Sequence, residues 1–502
     1  MPKEKGHLQF QKWANEYGPI YSLVLGTRIM IVLSSDEVVK DLLDKKGAIY
    51  SSRPSMYLSQ DIVSGGFRMT GMEYGDTWRM LRGIMHNSLN LQASQTYVPY
   101  QDLENKAMLL GILEQPSRFF SHIRRHTTSM STQMVFGFRT PDIDDPKLKQ
   151  LLHGFEKWCE LAGMQTAALL DIFPILRYLP DAFQPKKRYA KTLHKDEYDL
   201  YVGHYLTTKK KFKEGRANPC VCADLVRAQD ELKFSDGLAG YTSGSVLDAG
   251  SDTSAATLIG FVQALLIFPE VSRLAQAELD RVCGDRIPDL NDLPDLPYIR
   301  GCVKESLRWM PTTILGVPHA TTSEDEYLGY YIPKGASVIL NVWAIHNDPS
   351  RHPEPRRFDP SRWAHDSQSS AAAAANRDVS KRDQFGFGAG RRLCQGMYIA
   401  DRNLFLAISR LLWAFDFRRP IDASTGKEVI PDMEDLTEGL AVCPRPFDAD
   451  IKPRSEAKAE AVKAEWQKMT ELLDDELQWK AVPEGLVWKD YEPDEAGASL
   501  QE

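Results

Sequence analysis

The sequence predicts a mainly α-helical fold with a small β region, and three features carry that prediction. Residues 98–231 read as helices separated by proline-bearing turns at Pro116, Pro174, Pro180 and Pro219. Residues 235–268 form one long helical candidate with Ser235 or Asp236 available as its N-cap. Strand-like runs are confined to residues 21–33 and 316–342, where turn residues interrupt them.

In chain order, residues 21–25 and 29–33 are short apolar runs joined by Gly26-Thr27-Arg28, a hairpin pattern. Ser35-Asp36 offers a cap for a helix over 38–43, which Gly47 is expected to end. Residues 51–74 mix Gly, Ser, Pro and aromatics without a sustained period and read as a loop. A helix starts at Asp76 and carries Trp78 and Arg82, four apart, on one face. An indole N–H beside a guanidinium suits a carboxylate, although a packed Trp beside a solvated Arg gives the same pattern. Lys209, Lys210, Lys211 and Lys213 form a basic run of the kind usually found on a solvated helix face.

The centre of the long helix reads AGSDTS, residues 249–254. A glycine inside a helix costs about 1 kcal/mol relative to alanine, so Gly250 beside Asp252 and Thr253 needs either a packing or a chemical reason. Pro269-Glu270 then opens another helix, with proline in the permitted first turn. Glu305 and Arg308 in KESLRW share a helix face at i and i+3, ordinarily a surface ion pair. Between 316 and 342 short strands alternate with turns, as in YYIPKGASVIL, where Pro333-Lys334-Gly335 turns the chain. Residues 366–383, with Ala371 to Ala375 and many small polar residues, form a low-complexity insert expected to be mobile. Residues 455–478 read as a charged helix whose stripe of Val462, Trp466, Met469 and Leu473 packs on the body or on a partner. Beyond Pro483 the sequence gives no reading.

With 502 residues, 43% of them hydrophobic, the chain has ample material for a substantial core. A formal net charge of -8 argues against a nucleic-acid partner. The 7 cysteines are scattered and odd in number, which suits a reducing compartment with one special thiol better than a disulfide framework. Cys220 and Cys222 are the only close pair and lack further ligands nearby. No stretch is read as reaching the ~20 apolar residues that span a bilayer, and MPKEKGHLQFQKW lacks the apolar core of a signal peptide. As given, the chain is expected to be cytoplasmic.

The remaining stretch, FGFGAGRRLCQG at residues 385–396, is built to present one sulfur. Gly386, Gly388 and Gly390 allow tight turns that lead through two arginines to Cys394. Gly396 and a helix-compatible run follow, so Cys394 is expected at a helix N-terminus, where the dipole and Arg392 favour thiolate. Such a thiolate is a ligand for a soft metal or haem iron, or a nucleophile; a structural cysteine is the bland alternative. No second Cys or His lies within four residues, which argues against a zinc cluster.

Phe387, Gly390, Arg392, Cys394 and Gly396 fit FxxGxRxCxG, which resembles the haem-binding loop of the cytochromes P450. WxxxR at Trp78 and Arg82, AGxDT at 249–253, and ExxR at Glu305 and Arg308 with a later PxRW containing Arg362 extend the resemblance over about residues 8–452. RDQFGFGAGRRLCQG and LGVPHATT resemble fungal secondary-metabolism members, the O-methylsterigmatocystin oxidoreductase-like group.

The resemblance implies the cytochrome P450 fold, a triangular helical body enclosing haem. It implies a haem-thiolate domain over 1–452, with 453–502 a helical extension and tail. It implies haem b bound through Cys394, with Arg392, Phe387, Gly388, Trp78, Arg82, His319 and Gly250 around it. His319 stands where the family often has an arginine on a propionate; a protonatable His can serve. Thr253 and Asp252 would relay protons, and Gly250 would leave room for dioxygen. Glu305, Arg308 and Arg362 would hold the cysteine loop. Tyr57, Ile62, Val63 and Phe67, residues 312–317 and residues 158–206 would border the substrate pocket, and residues 436–442 would dip into it as a terminal hairpin.

The implied activity is monooxygenation of a small hydrophobic substrate. Electrons would come from NADPH through NADPH-cytochrome P450 reductase, with cytochrome b5 as a further donor. An N-terminal anchor preceding Met1 would place the protein on the cytosolic face of the endoplasmic reticulum membrane. A haem-thiolate isomerase or dehydratase, or a non-enzymatic haem sensor or carrier, would use the same loop.

Overall fold

The structure, a computed structural model, describes residues 5–162 and 169–486. Its strands are β1 (Ile20–Leu25), β2 (Arg28–Leu33), β3 (His319–Ala320), β4 (Asp325–Tyr327), β5 (Tyr330–Ile332), β6 (Ser337–Leu340), β7 (Phe415–Arg418) and β8 (Asp450–Pro453). The expected hairpin forms, pairing Leu25 with Arg28 across the turn. β2 then runs parallel to β6, and β6 pairs antiparallel with β3, giving a sheet ordered β1-β2-β6-β3 from segments some 300 residues apart. Two antiparallel pairs, β4-β5 and β7-β8, stand apart from it. Ile31, Leu33, Val338 and Leu340 bury into one core with Val39 and Leu42, which seats the sheet beside the loop at 385–396.

Helices make up most of the body: α1 (Gly6–Tyr17), α2 (Asp76–Leu89), α3 (Val98–Glu114), α4 (Phe119–Phe136), α5 (Pro146–Ala162), α6 (Pro185–Lys213), α7 (Val221–Leu232), α8 (Asp236–Ile267), α9 (Pro269–Val282), α10 (Pro297–Trp309), α11 (Val342–His346), α12 (Ser370–Ala374), α13 (Met397–Ala414) and α14 (Glu456–Thr470). α8 is the central one. Ser235 Oγ caps it by accepting from Leu238 N at 3.1 Å, and its side chains are buried nearly all round. A helix apolar on every side belongs in a core or a membrane. By length and composition α8 does qualify as a membrane span, contrary to the reading that no stretch qualifies, but 78% of its most apolar window is buried inside the protein. It packs on α4 and α6 and runs through the middle of the fold.

Several local expectations give way to tertiary contacts. The helix expected to stop at Gly47 instead runs as Asp36–Val39 and then a wider π-helical turn, Lys40–Lys45, while Gly47 begins another short helix, Gly47–Tyr50. The wide turn sets Asp44 so that its carboxylate takes Gly390 N at 2.8 Å and Arg382 at 2.7 Å. Within the expected loop at 51–74, Tyr57–Val63 coils into a π-helical turn whose Ser59 carbonyl accepts from Trp158 Nε1.

The insert at 366–383 is not loose. Ala371, Ala373 and Ala374 are buried in α12, and Lys304 ties Asp383 down at 2.8 Å. Its small side chains are what let it lie close on α13. The expected hairpin at 436–442 is a loop with a single bridge, Leu436 to Pro444. α14 packs on α3 through buried Val462, and Lys106 pairs with Glu465 at 3.0 Å.

Candidate active site

The loop at 385–396 folds back on itself so that Cys394 N donates to Phe387 O at 2.9 Å. Gly390 has φ 62°, and a Cβ there would lie 2.0 Å from Leu43 O, so no other residue fits this approach to the main chain. Gly388 also takes a left-handed φ, 79°, whereas Gly386 does not. α13 begins at Met397 with Gly396 as its cap, which places Cys394 just before the helix. Its sulfur opens on a cavity that runs from this loop to α8.

The free thiol is not the low-pKa group the helix terminus suggests. Burial pushes its pKa up, and this outweighs the N–H groups of Gly396 and Met397 and the charge of Arg82, which pull it down. Arg82, not Arg392, is the cation that acts on it. Those same N–H groups would stabilise a thiolate once a metal cation compensates its burial.

Around the sulfur the cavity gathers Trp78, Arg82, Arg392 and His319, and also Arg53, which sequence reading missed. The Arg392 guanidinium stacks 4.0 Å from the Trp78 ring centre and donates to Ser51 O and Met72 O at 2.9 and 2.7 Å. Arg53 donates to Thr70 O, Val317 O and Pro318 O at 2.8 to 2.9 Å. Arg82 reaches Leu393 O.

Among the described residues no carboxylate lies within 4.0 Å of any of the three guanidinium groups. Burial, with Arg82 beside it, brings Arg392 down to about 9. Burial also lowers Arg53 and Arg82. Uncompensated buried charge of this kind is costly unless an anion joins it. Three cations lining the cavity on which Cys394 opens would suit the two propionates of a haem, to whose iron the sulfur would be available, and Phe387 and Gly388 border the same space.

His319 does not play the part expected of it. Its Nδ1 lies 2.7 Å from Tyr50 O and must donate there, while burial, then Arg53 and Arg392, hold the ring neutral. Nε2 is then an acceptor and cannot donate to a carboxylate. Arg53, bonded to the two carbonyls just before His319, brings the cation instead.

On the far wall α8 contributes Gly250 and Thr253. Thr253 Oγ1 donates to Ala249 O at 2.6 Å. A Cβ on Gly250 would meet Ser131 Oγ of α4 at 2.7 Å, so the missing side chain is accounted for by close helix packing. Asp252 does not border the cavity. Successive helical residues point about 100° apart, and the carboxyl faces Arg124 and Glu156 on α4 and α5. Burial raises its pKa, with Arg124 acting against the rise.

Glu305, Arg308 and Arg362 meet behind the loop. Arg308 forks onto Glu305 at 2.8 and 2.7 Å, and Arg362 Nε reaches Glu305 Oε1 at 3.4 Å. Asp359 N and Trp363 Nε1 also donate to Glu305, at 3.0 and 3.1 Å. Arg308 Nη1 donates to His346 O at 2.9 Å, and His346 Nε2 accepts from Phe385 N at 3.0 Å, so His346, unnoticed in the sequence, joins this cluster to the start of the loop.

Tyr57, Ile62, Val63 and Phe67 do not line the cavity; Arg68, Met69 and Thr70, the residues just after them, do. The π-helical turn at Tyr57–Val63 directs that segment against α5 and α6 instead. Thr312, Thr313, Gly316 and Val317 line it, as do Leu440 and Ala441. Of residues 158–206, Trp158 and Cys159 do, and 163–168 lie outside the described residues. The described residues hold no group of three or more His, Cys, Asp or Glu able to bind a metal ion, and Cys220 and Cys222 are free and buried.

A family model described as Cytochrome P450 matches residues 1–443. Among similar curated proteins, "Cytochrome P450 monooxygenase virE" of Hypocrea virens is 59% identical over 98% of this chain and 90% of its own length. "Cytochrome P450 monooxygenase fogE" of Aspergillus ruber is 54% identical over 98% of this chain and 91% of its own. "Cytochrome P450 monooxygenase fsoB" of Humicola fuscoatra is 50% identical over 98% and 91%. These alignments continue into the segment after residue 453. A zebra fish cytochrome P450 solved with progesterone superposes with a TM-score of 0.74 at 24% identity, covering 90% of this chain and all of that one.

Proposed function

The chain belongs to the cytochrome P450 family, and from that premise we propose that Cys394 is the axial ligand of its haem b and that Arg53, Arg82, Arg392 and Trp78 hold the propionates. As a member of that family it is a haem-thiolate monooxygenase, an oxidoreductase that places one atom of dioxygen in an organic substrate. The monooxygenase names of the relatives do not favour an isomerase, dehydratase or haem carrier. The observation that carries the reading is a cysteine sulfur opening on a cavity that is also lined by three arginines lacking any described carboxylate.

Bound through a strongly donating sulfur, the haem supplies dioxygen activation, with O–O cleavage favoured. The chain's own residues prepare for that. Arg308 and His346 fix the loop from behind, so the sulfur is held by main-chain bonds and not by its own rotamer. Thr253 Oγ1, donating to Ala249 O, holds a proton at the cavity wall. Asp252, off the cavity and with its pKa raised, serves as the reserve behind it. Met130, Met134, Phe155 and Leu440 keep water from the substrate side.

The substrate is a small hydrophobic molecule, in line with the apolar lining, and the fungal relatives point to a secondary metabolite. NADPH-cytochrome P450 reductase supplies electrons, with cytochrome b5 as a second donor. The protein works at the cytosolic face of the endoplasmic reticulum membrane. In support, Ile175, Tyr178 and Phe183 stand 75%, 86% and 74% exposed near the β1-β2 turn, where Thr27 donates to Ile172 O.

Two measurements test this. The reduced protein with carbon monoxide is expected to give the thiolate-ligated difference spectrum, and Cys394→Ser to lose it. NADPH with reductase is expected to drive substrate-dependent oxygen uptake, which Thr253→Ala diverts toward peroxide. Turnover that proceeds unchanged without reductant or peroxide would overturn the monooxygenase reading.

A further inference from the structure

Two of the charged side chains that line the cavity stand apart from the arginine cluster: Arg68, from the loop before α2, and Asp248 of α8. Both are almost fully buried, at 1% and 2% exposure, among Met69, Met130, Met134 and Trp158. Arg68 Nη1 binds Asp248 Oδ2, its Nη2 binds Glu197 Oε1 at 2.7 Å, and its Nε donates to Ser64 Oγ at 3.2 Å. Tyr201 donates its hydroxyl to Asp248 at 2.9 to 3.0 Å, and the Arg68 guanidinium lies 4.5 Å from the Trp158 ring centre.

A buried ion pair of this kind is no better for stability than apolar side chains of the same volume. Its place in an otherwise apolar wall therefore calls for a reason in binding. Arg68 has five N–H groups and spends three on protein partners, which leaves two. Asp248 Oδ1 accepts only from Tyr201 and keeps a lone pair.

We propose that Arg68 and Asp248 form the polar anchor of the substrate cavity and take the hydroxyl or carbonyl oxygen of an otherwise apolar substrate. A hydroxyl donates to Asp248 and a carbonyl accepts from Arg68. A carboxylate is refused, because Asp248 and Glu197 already share the one cation. A substrate amine is refused by Arg68 itself. Asp248 and Thr253 stand five residues apart, about 7.5 Å along the helix axis. The anchored oxygen is thus held one to two ring widths from the Thr253 level, which sets the position oxidised. This inference rests on the monooxygenase reading only for what happens at the far end of the substrate; the anchor itself is a statement about binding.

The test uses the full-length holoprotein with naphthalene, 1-naphthol, 1-acetylnaphthalene and 1-naphthoate, and reads dissociation constants by equilibrium dialysis. Wild type is expected to bind 1-naphthol and 1-acetylnaphthalene about tenfold tighter than naphthalene, and naphthoate no tighter than naphthalene. Asp248→Asn is expected to weaken 1-naphthol about tenfold and to leave naphthalene within about twofold. Equal weakening of both, or no preference in wild type, overturns the proposal, since a purely structural pair would affect the two ligands alike. If Asp248→Asn does not fold, Arg68→Lys keeps the charge but loses the fork, and the 1-acetylnaphthalene preference must fall; an unchanged preference overturns the proposal. The carbon monoxide spectrum recorded alongside reports on haem ligation separately. A wild type without the thiolate signature but with the ligand preference would sink the haem assignment and leave the anchor standing.

Discussion

Glu305 is fully buried and takes hydrogen bonds from five donors, two of them on Arg308. Replacing it by glutamine turns one of those acceptors into a donor and leaves Arg308 as an uncompensated buried charge. Breaking a buried pair in this way costs about 3–5 kcal/mol. Glu305→Gln is therefore expected to lower the unfolding free energy of the holoprotein by that amount, seen as a lower denaturation midpoint at unchanged slope, and to release haem. Arg362→Ala, which removes the 3.4 Å contact to Glu305 and a 3.0 Å bond from Nη2 to Glu354 O, is expected to cost about 1–2 kcal/mol. Denaturant unfolding of the two variants checks the ranking, and Arg362→Ala proving the more damaging would show that Glu305 is not the hub. The pattern of Glu305, Arg308 and Arg362 could be found in the sequence because i, i+3 spacing is local. His346 and Arg53 could not. Each acts on main-chain atoms of a remote segment, Phe385 for one and Val317 with Pro318 for the other, and no side-chain spacing records such a bond.

The packing of α6 on α8 depends on two glycines. A Cβ on Gly240 would lie 2.8 Å from Val202 Cα and 3.1 Å from its N, and one on Gly244 would lie 2.3 Å from the Tyr201 ring. Alanine gains about 1 kcal/mol over glycine in a helix interior, whereas overpacking costs about 1–3 kcal/mol. At Gly240 the obstacle is backbone and cannot swing aside, so Gly240→Ala is expected to be net destabilising. Gly83 of α2 has open space where its Cβ would go, so Gly83→Ala is expected to stabilise by up to about 1 kcal/mol. Opposite signs in thermal melts of the two variants check the argument, and two stabilised variants would mean that α6 can move away from α8. Some helix ends were legible, Ser235 as the cap of α8 and Pro269 as the first-turn proline of α9, because they are written in one or two residues. Which face of α8 meets α6 was not, since a helix buried all round has no apolar stripe to read. For the same reason Asp252 and Thr253, adjacent in the motif, could not be told apart until the helix was placed between α4 and the cavity.

On the scale of the whole molecule, the segment after β8 is the part whose standing sequence reading left most open, since the expected division at residue 453 would make it an appendage. In the structure it closes over a charged cluster. Arg139 donates from Nη1 to Leu477 O at 2.7 Å and from Nε to Glu104 at 2.6 Å, Trp479 donates to Gln133 Oε1 at 2.6 Å, and Leu473 and Leu486 are buried. Burial alone would raise the Glu104 pKa, but Arg139 and Arg125 outweigh it and hold the carboxyl down to about 2, against 4.5 when unfolded. A carboxyl depressed on folding stabilises the native state above its unfolded pKa and loses that contribution as pH falls from about 4.5 toward about 2. A chain ending at Arg454 would let water reach Arg139 and weaken its hold on Glu104. Its Tm is therefore expected to fall at neutral pH, and its further loss of Tm on acidification through that window to be shallower than in the full chain. Melting curves of the two chains at neutral pH and at about pH 3 measure both effects, the lower pH lying inside the window in which Glu104 titrates only when released. Superimposable curves would mean that residues 455–486 form a separate folding unit, and that the Glu104 cluster is sealed by α3 and α4 alone.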